Sequence, residues 1–334
     1  MAVNLFSGGN FINSLTAAGK NKIINGDFGI WQRGTSFTGY ASRTYTADRW
    51  TSEYSGTGAT RTVSRQTFTP GTAPVSGYEG QYYLSYNRSV AGTSPADYLT
   101  YRVEDVRTFA GQTATISFWA KANASMSLSD ITFYQEFGSG GSATSTTTTP
   151  AKTITTSWAR YTTTVSVPSV SGKTIGTSSD LAIYFVLPNS GTFTFDIWGV
   201  QLEQGSTATP FQTASGTIQG ELALCQRYYW RFTGPGAYSA YGFGAYGGTT
   251  TGYILMDNPV TFRTTPTSLD YANLAVQLTD GGGPVAVTNL AIDQNSLKNT
   301  TLLFTVGTAG TAFRPCRLLN NNNTAGYVGL NAEL

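Results

Sequence analysis

The sequence predicts an all-β protein: an antiparallel β-sandwich, then a second β-rich, sandwich-like C-terminal domain, with one short helix at the joint. Three observations lead there. Short runs rich in Tyr, Phe, Val, Ile and Thr recur along the chain, each bounded by Gly, Pro, Ser or Asn. No long helical period separates them, so the strands lack crossover helices and pair antiparallel. The third observation is Gly191 to Phe211, which reads as the last strand of the first domain. Phe193, Phe195 and Ile197 alternate there with Thr194, Asp196 and Trp198, the period of a strand with one buried face. At Gly199 the apolar phase slips by one, to Val200 and Leu202. A bulge at this glycine keeps both apolar sets on one side. Gln204-Gly205-Ser206 then turns the chain, and Pro210 ends the ladder.

Taken in order, residues 1–20 form an arm. Leu5, Phe6, Phe11, Ile12 and Leu15 sit among glycine and asparagine, too little apolar surface to fold alone. Such an arm either frays or docks on a partner. Residues 21–213 carry strands at Tyr82–Tyr86, Leu99–Val103, Thr113–Trp119, Ile131–Phe137, Ala159–Val167, Leu181–Leu187 and Phe193–Leu202. The low-complexity run from Gly138 to Thr149 reads as a flexible loop between strands. Residues 214–230 are a linker and the short helix, in which Leu222, Cys225 and Tyr229 are spaced i, i+3, i+7. So narrow a stripe on so short a helix needs company: three copies meeting at an axis, or a sandwich to lie against. In residues 231–334 the strand candidates are Tyr253–Met256, Val260–Arg263, Leu274–Leu278, Val285–Ile292, Leu302–Val306 and Gly326–Leu330. Gly234–Gly252 and Asn320–Asn323 read as loops.

The totals exclude several chemistries. At 334 residues the chain is long enough for two cores. A net charge of +2 gives no electrostatic basis for holding nucleic acid. The absence of histidine removes His-based triads, His general bases and the commonest zinc sites. Cys225 and Cys316 are too few for a disulfide framework, and either pair or stay as buried thiols. No run approaches a membrane span, and the N-terminus lacks the basic start and apolar core of a signal peptide, so synthesis in a cytoplasm is expected. Aromatic residues, at 13%, outnumber charged ones, at 11%. A free-standing monomer usually carries more surface charge, so an assembly is expected.

Gly199–Phe211, GVQLEQGSTATPF, resembles the closing strand of carbohydrate-binding-module-like jelly rolls in bacteriophage fibre and tail proteins. Asn25-Gly26-Asp27-Phe28, Trp31-Gln32-Arg33-Gly34 and Asp48-Arg49-Trp50 are similar to the opening of that domain. Gln112–Ala122 is similar to its central strand, and Ser157–Tyr161 with Val165–Pro168 to a later one. The resemblance covers about residues 21–213 and extends through Glu221–Tyr229 into the joint. It implies a jelly-roll sandwich. In many members of that family a structural calcium joins the opening loop to the closing strand, and Asn25, Asp27 and Asp196 fall at matching places. Many of those modules carry glutamate after the opening phenylalanine where this chain has Gly29, so a metal-free join is the alternative.

Other constellations are weaker. Glu104 and Asp105 are adjacent, so on a strand they point to opposite faces and cannot act as a glycosidase pair; pairing with Arg102 or Arg107 suits them better. Trp119 and Trp198 sit in strand patterns and are expected in a core. Tyr238, Tyr241, Phe243 and Tyr246 lie in a glycine-rich stretch without Lys or Arg, which suits either an adaptable recognition surface or a packed core. With the resemblance, these features lead to one expectation. The chain is a non-enzymatic phage virion protein, a homotrimeric fibre or spike that attaches to a host-surface glycan through Tyr238, Tyr241, Phe243 and Tyr246. Leu222, Cys225 and Tyr229 form the trimer contact, and residues 1–20 meet other virion proteins. A capsid-attached fibre or decoration protein is the alternative, as are a carbohydrate-binding module and a glycan-cleaving tailspike.

Overall fold

The structure, a computed structural model, describes residues 19–75, 78–280, 282–308 and 310–334. Most of the N-terminal arm therefore lies outside the described residues. The chain divides into two compact units, residues 1–221 and 222–334.

The strands of the first unit are β1 (Ser36–Thr38), β2 (Thr44–Tyr45), β3 (Trp50–Thr57), β4 (Thr60–Thr67), β5 (Tyr82–Val90), β6 (Thr93–Glu104) and β7 (Thr113–Ala122). They continue with β8 (Met126–Leu128), β9 (Asp130–Glu136), β10 (Ser145–Thr148), β11 (Lys152–Ile154), β12 (Ala159–Ser166), β13 (Asp180–Val186) and β14 (Phe193–Gln204). They build two six-stranded antiparallel sheets, ordered β1-β4-β5-β14-β7-β12 and β10-β9-β13-β6-β3-β2, with β11 and β8 paired beside them. All seven strands expected between residues 21 and 213 are present. The supposed flexible loop after Gly138 contains β10, which pairs with β9 from Ser145↔Gln135 to Thr148↔Thr132. Its threonines are β-branched and suit a strand once a partner is beside them. Three of the four outer strands of these sheets, β1, β2 and β10, have only two to four residues.

The core lies between the sheets. Phe118 of β7 meets Phe185 of β13 edge to face at 5.2 Å, and Trp50 packs 5.0 Å from Tyr101. Within it Asp97 is fully buried and receives the guanidinium groups of Arg61 and Arg88 and the hydroxyl of Tyr86, the last at 3.0 Å. Arg88 Nε also donates to the Gly191 carbonyl at 2.8 Å. Closing strand β14 carries the expected bulge: its pairing with β7 shifts between Trp198 and Gln201, and Gly199 has φ 65°. Phe193, Phe195, Ile197, Val200 and Leu202 therefore all enter the inter-sheet core, while Trp198 turns the other way. There it joins Trp119, Phe68 and Phe211 in a second cluster on the outward side of the first sheet.

The helix α1 (Ile218–Gln226) begins on Thr217, whose hydroxyl caps the Gly220 N–H at 3.1 Å. In its first turn the buried Glu221 carboxylate accepts the backbone N–H groups of Asn25 at 2.7 Å and Ser215 at 2.6 Å. The opening loop is thereby tied to the linker.

The second unit contains β15 (Tyr229–Thr233), β16 (Ala240–Tyr246), β17 (Thr251–Asp257), β18 (Ser268–Ala272), β19 (Leu274–Leu278), β20 (Val285–Asn295), β21 (Asn299–Val306), β22 (Pro315–Asn320) and β23 (Tyr327–Asn331). Strands β16-β17-β21-β20-β19-β22 close into a barrel, and β15-β23-β18 form a three-stranded sheet. Two expectations are corrected here. Val260–Arg263 is not a strand: Pro259 lacks an N–H for a ladder, and Phe262 alone is buried, its N–H held by Leu297 O at 2.9 Å. The glycine-tyrosine stretch is not all loop, because β16 runs through it. Gly244 fits against β17 only without a side chain, since a Cβ would lie 1.7 Å from the Tyr253 carbonyl oxygen. Both cysteines are buried and neither forms a disulfide. No helix among the described residues is long and apolar enough to cross a membrane.

Candidate functional site

The second sheet turns Leu99, Tyr101, Leu181, Ile183, Ile131 and Phe133 inward. Strand alternation then sends the intervening residues outward. Three tyrosines occupy that outward phase on neighbouring strands: Tyr98 on β6, Tyr184 on β13 and Tyr134 on β9. Tyr184 meets Tyr98 edge to face at 5.7 Å and Tyr134 at 5.0 Å. With Glu136, Thr144 and Thr146 they line a groove of about 460 Å³. Ala182 stands in register between Tyr134 and Arg102, and its small side chain leaves room there.

The polar groups of the groove are tightly organised. Arg102 donates to Glu136 at 2.7 Å, to both oxygens of Asp180 at 3.1 and 3.0 Å, and to the Tyr184 hydroxyl at 3.2 Å. The Tyr184 hydroxyl donates in turn to Glu53 at 3.2 Å, whose carboxylate also lies 3.5 Å from Arg43. Burial pushes the Asp180 carboxyl up to about 6 although Arg102 pulls it down. Burial likewise pushes the Tyr184 phenol up to about 12. The arrangement offers three aromatic faces, hydroxyls and one half-exposed carboxylate, with its cation already neutralised.

The residues expected to contact a receptor divide. Tyr241 and Tyr246 are core residues, which corrects the expectation for both. The bulge in β16 turns Tyr241 into the barrel, where its hydroxyl bonds Asn320 and its ring meets Phe232 edge to face at 5.0 Å. Tyr246 packs edge to face on Phe304 at 5.0 Å. Tyr238 and Phe243 are exposed, Phe243 in register beside the exposed Leu255. The proposed trimer stripe is also corrected. Leu222 is exposed, but Cys225 and Tyr229 are buried within the chain, and the Tyr229 hydroxyl is held by Asp270 at 3.0 Å.

Two of the three side chains expected to hold calcium, Asn25 and Asp196, are engaged elsewhere. The Asn25 side chain is spent inside its own loop, donating to the carbonyls of Ile30 and Asp48 and accepting from the Ile30 N–H. Asp196 stands beside Lys121 on the outward face of the first sheet. Among the described residues no group of three or more acidic, Cys or His side chains could hold a metal. The carboxylates of Glu104 and Asp105 make no acid pair either, since Asp105 binds Arg107 at 3.2 Å.

Asp27 is the exception in its environment. Burial, reinforced by the Glu221 carboxylate, pushes its carboxyl from 3.8 up to about 6. The folded state therefore binds the extra proton between about pH 4 and 6, so stability from this group is present below pH 4 and is lost by the time pH exceeds 6. Asp27→Asn is expected to raise stability at pH 7 by about 1–2 kcal/mol, with the gain vanishing near pH 4. Melting curves of both proteins across this range check it, and a gain independent of pH would refute the assignment.

The groove tyrosines were not singled out from sequence. For Tyr98 and Tyr134 the signal was present, an aromatic side chain in the polar phase of a strand whose other phase is apolar, whereas Tyr184 lies in the continuous apolar run Leu181–Leu187 and nothing local marks it.

No protein-family model matches the chain, and no curated protein does. Several solved structures are similar to part of it. One is the enzymatically active domain of tailspike protein 4 from bacteriophage CBA120, 16% identical, covering 56% of this chain with a TM-score of 0.34. The matched part spans only 22% of that tailspike chain. Another is the family 11 carbohydrate-binding module from Clostridium thermocellum, solved with a mixed-linked β-1,3-1,4 tetrasaccharide. It is 14% identical over 52% of this chain and 98% of its own, with a TM-score of 0.33. A xylan-binding module from Paenibacillus barcinonensis is 16% identical over 52% of this chain and 95% of its own, with a TM-score of 0.30.

Proposed function

We propose that the protein binds a neutral glycan chain in the groove of Tyr98, Tyr134 and Tyr184. The clustering of three outward tyrosines from adjacent strands around one groove carries this reading. Tyrosine offers a flat apolar face for the C–H side of a pyranose ring and a hydroxyl for its rim. Glu136, Thr144 and Thr146 supply further partners for sugar hydroxyls. Arg102 is neutralised by Glu136 and Asp180, so the groove holds no free positive charge to select an acidic sugar. Those two carboxylates are also fixed by the guanidinium, which favours binding over glycoside cleavage, a reaction that needs one protonated and one free carboxyl facing each other.

The wider reading is attachment to a host-surface glycan by a homotrimeric fibre or spike of a phage virion, at the tail or on the capsid, with residues 1–20 meeting other virion proteins. The low charge of the chain supports assembly. Binding is tested on an array of neutral oligosaccharides, followed by calorimetry with the strongest ligand. Tyr134→Ala is expected to weaken affinity about tenfold, or ~1.4 kcal/mol, and Tyr184→Phe to weaken it less. No reducing ends should be released during incubation. Unchanged affinity in Tyr134→Ala with an intact fold would overturn the groove assignment.

A further inference from the structure

Asp196 lies on the opposite side of the sandwich from the groove, in register between Ser85 of β5 and Lys121 of β7. It is 9% exposed, and its Oδ1 has no hydrogen-bond partner although it is buried. Its other oxygen lies 3.6 Å from Lys121 Nζ. The same ammonium stands 5.3 Å from the ring centre of Trp158 and 5.7 Å from that of Tyr83. These two rings meet edge to face at 5.3 Å, rest on Phe68 and are only partly buried. An unsatisfied carboxylate oxygen thus sits between Ser85 and Lys121, next to two partly buried aromatic rings over which the lysine ammonium stands.

We propose that this outward face of the first sheet is a second saccharide-binding patch, with Trp158 and Tyr83 as stacking faces and Asp196 as hydroxyl acceptor. The ligand class is a neutral pyranose. Lys121 and Asp196 cancel, so the patch has no net charge to offer an anionic sugar, and a carboxylate with a free oxygen takes a hydroxyl donor. The sugar displaces the ammonium from above the rings, and Lys121 keeps its ion pair with Oδ2. The alternation of β14 places Thr194 on this face too, and that of β5 places Asn87 there, which extends the polar rim. One module then grips glycan on both faces of its sandwich, and the second contact acts at high effective concentration once the first is made.

The patch has its own optical reporter. It contains Trp158, whereas the groove is lined by tyrosines without tryptophan. The experiment uses the full chain carrying Tyr134→Ala, to weaken the groove, on an array of neutral oligosaccharides. Binding that persists is then compared after adding Trp158→Ala or, as an isosteric control that removes only the charged acceptor, Asp196→Asn. The expected result is a retained ligand that quenches tryptophan fluorescence and binds at least tenfold more weakly in both added variants, with unchanged melting. If the Tyr134→Ala chain retains no neutral oligosaccharide, or if what it retains is indifferent to Trp158→Ala and Asp196→Asn, the second patch does not exist. The groove reading fails separately, by Tyr134→Ala leaving wild-type binding intact.

Discussion

Asp97→Ala is expected to destabilise the first unit by about 3–5 kcal/mol, because it leaves two buried guanidinium groups without their counter-charge. Arg61 and Arg88 are 5% and 0% exposed at their side chains, and Asp97 is at 0%. The hydroxyl of Tyr86 loses its acceptor in the same change. Such a loss is comparable to the whole stability of many domains. Asp97→Asn keeps the shape and one acceptor but not the charge, and is expected to fall between. Denaturant unfolding measures both, and a loss below about 1 kcal/mol for the alanine variant would mean that the arginines find water. The cluster also explains a local arrangement. Arg88 reaches the Gly191 carbonyl, so the turn before β14 is fixed by a side chain whose own position depends on Asp97.

Gly199→Ala is the second large effect, about 2–5 kcal/mol. A non-glycine residue at φ 65° costs about 1–2 kcal/mol. The new Cβ would also lie 2.8 Å from Cε3 of Trp119, which is buried in the outer aromatic cluster. Overpacking of that kind adds about 1–3 kcal/mol. The consequence extends past one residue: without the bulge, the register that brings both Ile197 and Val200 inward is lost, and one apolar set faces the wrong side. Thermal melting checks it. A variant as stable as the parent would show that β14 can pair without the bulge.

The closing strand was legible because its apolar phase is dense and its slip coincides with a glycine. The strands around Leu99, Ile116, Ile131 and Leu181 were legible for the same reason. Strand β4, TRTVSRQT, was not: Val63 is its lone aliphatic core residue, and Arg61 looks like a solvent-facing charge until Asp97 is placed beside it. A buried ion cluster spread over strands β4, β5 and β6 leaves no periodic trace in any one of them. The groove was missed for a related reason. Tyr98, Tyr134 and Tyr184 raise strand propensity and so helped identify the strands, but only sheet order shows that they become neighbours. In the second unit, glycines at 242, 244 and 252 read as breakers, whereas they let β16 and β17 approach closely. Tyr241 and Tyr246 were thus read as presented residues when barrel closure turns them inward.

The lengths of the outer strands bear on how the protein behaves when many copies are crowded together. A surface poor in charge gives little mutual repulsion, so edge-to-edge addition of strands between copies becomes the hazard. Strands β1, β2 and β10 offer ladders of only two to four residues to an incoming strand, and the barrel of the second unit offers none on its closed wall. In the two large sheets of the first unit β12 is the long rim, and along Ala159–Ser166 it is mostly threonine, serine and arginine rather than aliphatic; the open three-stranded sheet of the second unit adds the five-residue rims β15 and β18. Dense display is therefore compatible with this sequence without the fibrillar self-templating that an extended, oily rim would invite.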